Sequence, residues 1–84
     1  MFQRENFSRR LREVRNKAGE RQADVAELLG VKPNQIVEME NARKTTTFEK
    51  LYKLCEHYNV SADYLLGLTD EARPLDPEKK EGTV

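Results

Sequence analysis

The sequence is short of several things, and each shortage removes a class of function. Its 84 residues include a single cysteine, Cys55, and a single histidine, His57. One thiol makes no internal disulfide, and no second cysteine stands at metal-ligand spacing, so no metal is expected. A reducing cytoplasm is the expected location. No apolar run approaches the roughly 20 residues that span a bilayer, so no membrane is expected as a partner. Residues 1–15 are charged and hold no apolar stretch of the signal-peptide kind. Net charge is absent too, with 15 Lys and Arg against 15 Asp and Glu. Gly-rich phosphate loops, paired acid–base carboxylates and nucleophile triads are all missing. The expectation is therefore a protein that is not an enzyme, with no catalytic residues and no cofactor. The length suits one small domain, whose core is modest enough that every buried position counts.

What is present is helical punctuation. Phe7, Leu11 and Val14 follow i, i+4, i+7 and predict a first helix over about 6–18, with Asn6 as its N-cap and Gly19 as its stop. Val25, Ala26 and Leu29 fill one face of a second helix, opened by Arg21, whose side chain has no acceptor for free amides. Gln22 stands in its first turn, with its amide available to a ligand there. Gly30 stops this helix, and Val31 then turns inward. Pro33 suits the first position of a third helix and pushes Lys32 toward the extended backbone of a capping residue. Ile36 and Met39 face back onto the second helix, while Asn34, Val37, Glu38 and Asn41 share the opposite face. One buried face and one presented polar face after a glycine turn is the helix-turn-helix arrangement.

Residues 41–47 read as a loop. Thr46 with Glu49 fits a capping box, and Thr47 also serves as a cap. Phe48, Leu51, Leu54, Cys55 and Tyr58 predict an apolar stripe on a fourth helix, closed by Asn59 in the left-handed cap. Cys55 is read as a core thiol; His57 is read as a surface cation near a helix C-terminus. Ser61 caps a last short helix, with Val60 stapled onto Leu65, and Gly67 ends it. Residues 69–84, with two prolines and many charges, read as a flexible charged tail after a domain of residues 1–68. The fold class is thus all-α, five short helices. Charge is uneven along them: residues 1–50 carry 11 Lys and Arg against 8 Asp and Glu, residues 51–84 carry 4 against 7. That asymmetry weakly favours an anionic partner for the first part.

In order and spacing, several pieces match one family. They are Leu11-x-x-x-Arg15, Gly19-x-x-Gln22-x-x-Val25-Ala26, Leu29-Gly30-Val31, Ile36-x-x-Met39-Glu40-Asn41, Leu51-x-x-Leu54, and Val60-Ser61-x-Asp63-x-Leu65-Leu66. Over about residues 7–68 the chain resembles the phage-repressor-type helix-turn-helix domains of the Cro and cI (XRE-like) kind. The resemblance implies a compact five-helix bundle that binds double-stranded DNA in a sequence-specific way, as a repressor-like transcriptional regulator. It implies that Arg15 and Glu40 form a partly buried ion pair. It implies that Gln22, beside Arg21, holds a phosphate, that Asn41, Arg43 and Lys44 form a phosphate-gripping loop, and that Lys32, Pro33, Asn34 and Glu38, with Val37 beside them, look into the major groove. Asn34 pairs well with adenine, Glu38 with cytosine N4, and Val37 with a thymine methyl.

The chain also departs from the family pattern. Lys32 stands where Ser or Thr usually caps the third helix, and Ala42 where Gly usually follows Asn41. A Thr-rich stretch replaces the Pro often found before the fourth helix, and Val37 and Glu38 make the third helix less cationic. Net neutrality and Glu38 fit the alternative, a protein-interaction module of antitoxin or antirepressor type on the same fold. A palindromic operator implies a two-fold dimer. Tyr64, Leu65, Leu66 and Leu68 suggest its contact through the last helix. If Leu65 and Leu66 instead fill the core, only Tyr64 and Leu68 are left exposed.

Overall fold

The computed structural model describes residues 1–78. Five helices follow in order: α1 (Arg4–Lys17), α2 (Gln22–Leu29), α3 (Pro33–Glu40), α4 (Phe48–Tyr58) and α5 (Ala62–Leu66). They enclose one core of Phe7, Leu11, Val25, Ala26, Leu29, Ile36, Met39, Leu54, Cys55, Val60, Tyr64 and Leu65. Burial pushes the Cys55 thiol above its ordinary range, with the Asp63 charge adding to the effect, so the cysteine sits there as a small apolar residue.

One device ends all five helices. A residue with positive φ follows each: Gly19, Gly30, Ala42, Asn59 and Gly67. The next amide in each case reaches back across the last turn: Glu20 to Arg15, Val31 to Ala26, Arg43 to Glu38, Val60 to Cys55 and Leu68 to Asp63. This is the Schellman closure, which satisfies carbonyls that the helix itself leaves open. At α3 the left-handed residue is Ala42, with φ 61°, where a Cβ makes the conformation costly. Gly67 answers a second demand besides φ. A Cβ there would lie 3.0 Å from the Cβ of Asn6, so α5 ends tight against α1.

Four local expectations change. α1 starts at Arg4 with Gln3 at its N-cap; Asn6 lies inside the helix and accepts from Arg9 at 3.0 Å. Thr47, not Thr46, caps α4, accepting from the Lys50 amide. Phe48 leaves the apolar stripe altogether and is 88 % exposed, because as the first residue of α4 it precedes the turn that packs. Ser61 holds the N-cap position of α5 without a hydroxyl bond to the helix amides.

The segment after Leu68 does not hang free over its described length. The Ser61 amide donates to the Arg73 carbonyl at 3.1 Å, and the Leu75 amide to the Asn59 carbonyl at 3.3 Å. Asn59 and Asp76 exchange two further bonds, of 3.2 and 2.8 Å. Arg73 pairs with Asp63 at 2.9 Å. The segment is polar but its backbone groups find partners on the α4–α5 corner, which composition alone does not reveal. Residues 79–84, the rest of the expected tail, lie outside the described residues.

Candidate nucleic-acid interface

The candidate interface is built from the C-terminal end of α3 outward. A helix end leaves carbonyls without intrahelical partners and carries partial negative charge. α1 supplies the donors. Ser8 Oγ donates to the Met39 carbonyl at 2.5 Å, and Arg12 donates to the Glu40 carbonyl at 2.6 Å. Arg15 clasps the Glu40 carboxylate with two bonds, Nε to Oε2 at 2.5 Å and Nη2 to Oε1 at 2.9 Å. Both side chains are withdrawn from water, Arg15 to 12 % exposure and Glu40 to 2 %. The hydrogen bond to Glu40, and next its charge, holds the Arg15 guanidinium above its ordinary pKa against the opposing effect of burial.

Gln22 joins this node. Its Nε2 donates to Glu40 Oε1 at 3.1 Å, so the first residue of α2 is fixed to the last residue of α3. Amide nitrogen carries two hydrogens, and this bond uses one. The node continues to α4 through Glu20. Arg15 donates to the Glu20 carbonyl at 2.9 Å, and the Glu20 carboxylate accepts from the Tyr58 hydroxyl at 2.7 Å. His57 Nε2 lies 2.6 Å from the other carboxylate oxygen. Burial, and then the Glu20 bond, push the Tyr58 phenol well above its ordinary pKa. His57 is thus half of a link between α4 and the α1–α2 loop.

On the outward side, Lys32 is the extended N-cap of α3 and Pro33 its first residue. Lys32, Pro33, Asn34 and Val37 are exposed and Glu38 is half-buried, while Ile36 and Met39 face the core. Asn41 and Arg43 are exposed on the loop that follows. Lys44 bends back instead: its Nζ lies 2.7 Å from Gln35 Oε1 and 3.3 Å from Glu38 Oε1. Arg4 donates to the Arg43 carbonyl at 3.4 Å, which ties the start of α1 to the same loop. Arg21 is the extended N-cap residue of α2, and the Asp24 carboxylate accepts from its backbone amide at 2.8 Å. Its guanidinium reaches the same carboxylate. That pairing holds the Asp24 carboxyl below its ordinary value.

Sequence reasoning missed Ser8, Arg12, Arg4 and Gln35. Ser8, Arg12 and Arg15 stand at i, i+4, i+7, so a polar stripe on α1 was there to be read beside the apolar one. The partner, a helix terminus, has no side-chain signature.

These contacts join the start of α2, the end of α3 and one face of α1 into a single polar frame beneath an exposed α3 face. A family model described as helix-turn-helix matches residues 11–65. The chain belongs to the helix-turn-helix family. It is 33 % identical over 79 residues to the HTH-type transcriptional regulator ImmR of Bacillus subtilis, covering 94 % of this chain and 62 % of that protein. The chain thus spans about three-fifths of the length of this curated relative. Among solved structures it is similar to the P22 c2 repressor protein in complex with synthetic operator 9T, with 32 % identity and a TM-score of 0.67 over 71 % of this chain and 91 % of that one. A transcriptional regulator from Listeria innocua superposes with a TM-score of 0.72 at 26 % identity, over 79 % of this chain and 62 % of that one. The helix-turn-helix domain here is therefore of the phage-repressor type, and its all-helical fold is the one these regulators share. Among the described residues no group of His, Cys, Asp or Glu is arranged to hold a metal, and no helix is long and apolar enough to cross a membrane.

Proposed function

We propose that this domain binds double-stranded DNA in a sequence-specific way, as part of a cytoplasmic transcriptional regulator. The single observation that carries the reading is the α3 face of Asn34, Val37 and Glu38, outward from a helix whose C-terminus is held by Ser8, Arg12 and Arg15. Base selection needs such a rigid presenting element. Phosphates are held by Gln22, through its second amide hydrogen at the α2 N-terminus, and by Asn41 and Arg43 beyond α3. A helix N-terminus favours an anion there, and such contacts set position while the bases set choice. The match to a repressor solved on a synthetic operator supports the reading. Selection from random duplexes at two salt concentrations tests it: one enriched sequence family, with affinity falling as salt rises, is expected, and recovery of no sequence would remove it.

The finer reading is a two-fold dimer on a palindromic operator, with half-sites about one helical turn apart. Tyr64 and Leu65 are buried and Leu66 is half-buried, so the exposed apolar surface near the last helix is Leu68, at 77 %. Further exposed apolar surface lies on Phe48 at 88 % and Tyr52 at 65 %. A groove of about 210 Å³ beside Phe48 is lined by Phe2, Thr45, Leu51 and Leu66 among others. That surface also favours a second reading, a protein-interaction module of antitoxin or antirepressor type. Sedimentation with and without the selected duplex separates the two: a dimer, at least on DNA, supports the first, and a strict monomer in both conditions rejects the dimer.

A further inference from the structure

Glu38 is an anion on the face proposed to enter a groove flanked by phosphates, and Lys44 is a cation that lies against that face. The two facts have one explanation. Ala42 in the left-handed conformation, with the Arg43 amide bonded to the Glu38 carbonyl at 2.9 Å, turns the chain back over the end of α3. Lys44 is thereby carried onto two residues of the presented helix, Gln35 and Glu38, one turn apart. Lys44 is 44 % exposed and Glu38 39 %, so the bridge faces water and adds little to stability. Its effect is on what the helix presents. The ammonium lies 3.3 Å from Glu38 Oε1; the carboxylate has a second oxygen with which to accept from a base, as cytosine N4 offers. With its charge offset, the carboxylate selects more than it repels.

We propose that Lys44 is a specificity-positioning residue, the built-in counter-ion that lets Glu38 act as a base-reading acceptor, rather than one more phosphate contact. The proposal rests on the DNA-binding reading and says how its α3 face tolerates a carboxylate. It reverses the role that the family pattern implies for this loop lysine. A phosphate contact acts independently of residue 38; a counter-ion does not.

The test is a double-mutant cycle of Lys44→Met and Glu38→Gln, in the full chain, on the duplex the wild type selects and on single base-pair variants of it. With Glu38 present, Lys44→Met is expected to weaken binding about tenfold, and with Gln at position 38 by no more than about twofold. Glu38→Gln is expected to relax choice at one base pair. The proposal is overturned if Lys44→Met weakens binding by the same factor in both backgrounds while the salt slope drops by about one unit. It is also overturned if Lys44→Met has no effect in either. A wild type that selects no duplex would instead remove the DNA-binding reading beneath it, and the selection alone reveals that. Thermal melts of the variants, expected to match the wild type, separate these outcomes from a loss of fold.

Discussion

Among the described residues two charged side chains are buried, Glu40 and Arg10, and they are satisfied differently. Glu40 and Arg10 are each 4 % exposed. Glu40 is met from three sides, by Arg15, Gln22 and, at 3.8 Å, Arg12. Arg10 donates to the Tyr64 carbonyl at 2.6 Å, to the Thr69 carbonyl and to Asp70 at 2.7 Å, and lies 4.3 Å over the Tyr64 ring. Its Nε has no partner, and Asp70 is fully in water. Glu40 therefore joins elements that present the α3 face, while Arg10 pins the chain that leaves α5. A buried charge on its own says only that something is held; the partners say what.

The largest expected effect is at Glu40. Glu40→Ala strands Arg15, at 12 % exposure, and is expected to cost about 3–5 kcal/mol in chemical denaturation. A loss within about 0.5 kcal/mol, as at an ordinary surface site, would mean that Arg15 is not left uncompensated when Glu40 is removed. Arg10→Met keeps apolar volume but leaves the Tyr64 and Thr69 carbonyls without their donor. A smaller loss of about 1–3 kcal/mol is expected by the same assay. Ending the chain at Leu68 removes Asp70 and the Arg73 and Leu75 contacts, and about 1 kcal/mol is expected to go with them. Made in the Arg10→Met background, that truncation should cost less, since the two changes share partners. Full additivity would mean that Arg10 does not hold the segment.

Ala42→Gly works in the other direction. It relieves the Cβ at φ 61° and should raise stability by about 0.5–1 kcal/mol, the steric gain less the unfolded-state entropy of glycine. The smallest effect is at Asp24. Its carboxyl is held below the ordinary value by the Arg21 side chain and then the Arg21 amide. A depressed folded-state pKa means a contribution present above the unfolded value of 3.8 and lost as pH falls through the lower folded value. Wild type and Asp24→Asn should therefore converge in melting temperature as the solution is acidified past that value. A gap that stays constant would assign the Asp24 effect to something other than its charge.

The two charges also mark where the sequence could be read. Helix positions followed from apolar spacing and from Gly30, Asn59 and Gly67, because a backbone that needs positive φ restricts the residue type locally. The Arg15–Glu40 pair came from the family pattern, and two hydrogen bonds join the two side chains. Arg10 gave no such sign. It stands between apolar positions on a helix rich in arginine, and its acceptors are carbonyls 54 and 59 residues away. Backbone acceptors have no residue identity, so neither Arg10 nor the docking of residues 69–76 shows in composition. Phe48 misled for a related reason: apolar character at helical spacing does not say which turn meets the core. Lys44 was legible as a cation, but its direction depends on the conformation of Ala42, two residues earlier.

Glu40 is expected to frame the candidate DNA-binding face while Arg10 only secures the fold, and one titration distinguishes the two roles. The wild-type-selected duplex is titrated with Glu40→Gln and with Arg10→Met, at a temperature where circular dichroism shows both folded. Glu40→Gln is expected to lose about tenfold or more in affinity, because the amide no longer fixes Arg15 and Gln22 together. Arg10→Met is expected to stay within about twofold of wild type. Equal losses in the two variants, or a larger loss for Arg10→Met, would mean that Glu40 has no special part in presenting the α3 face.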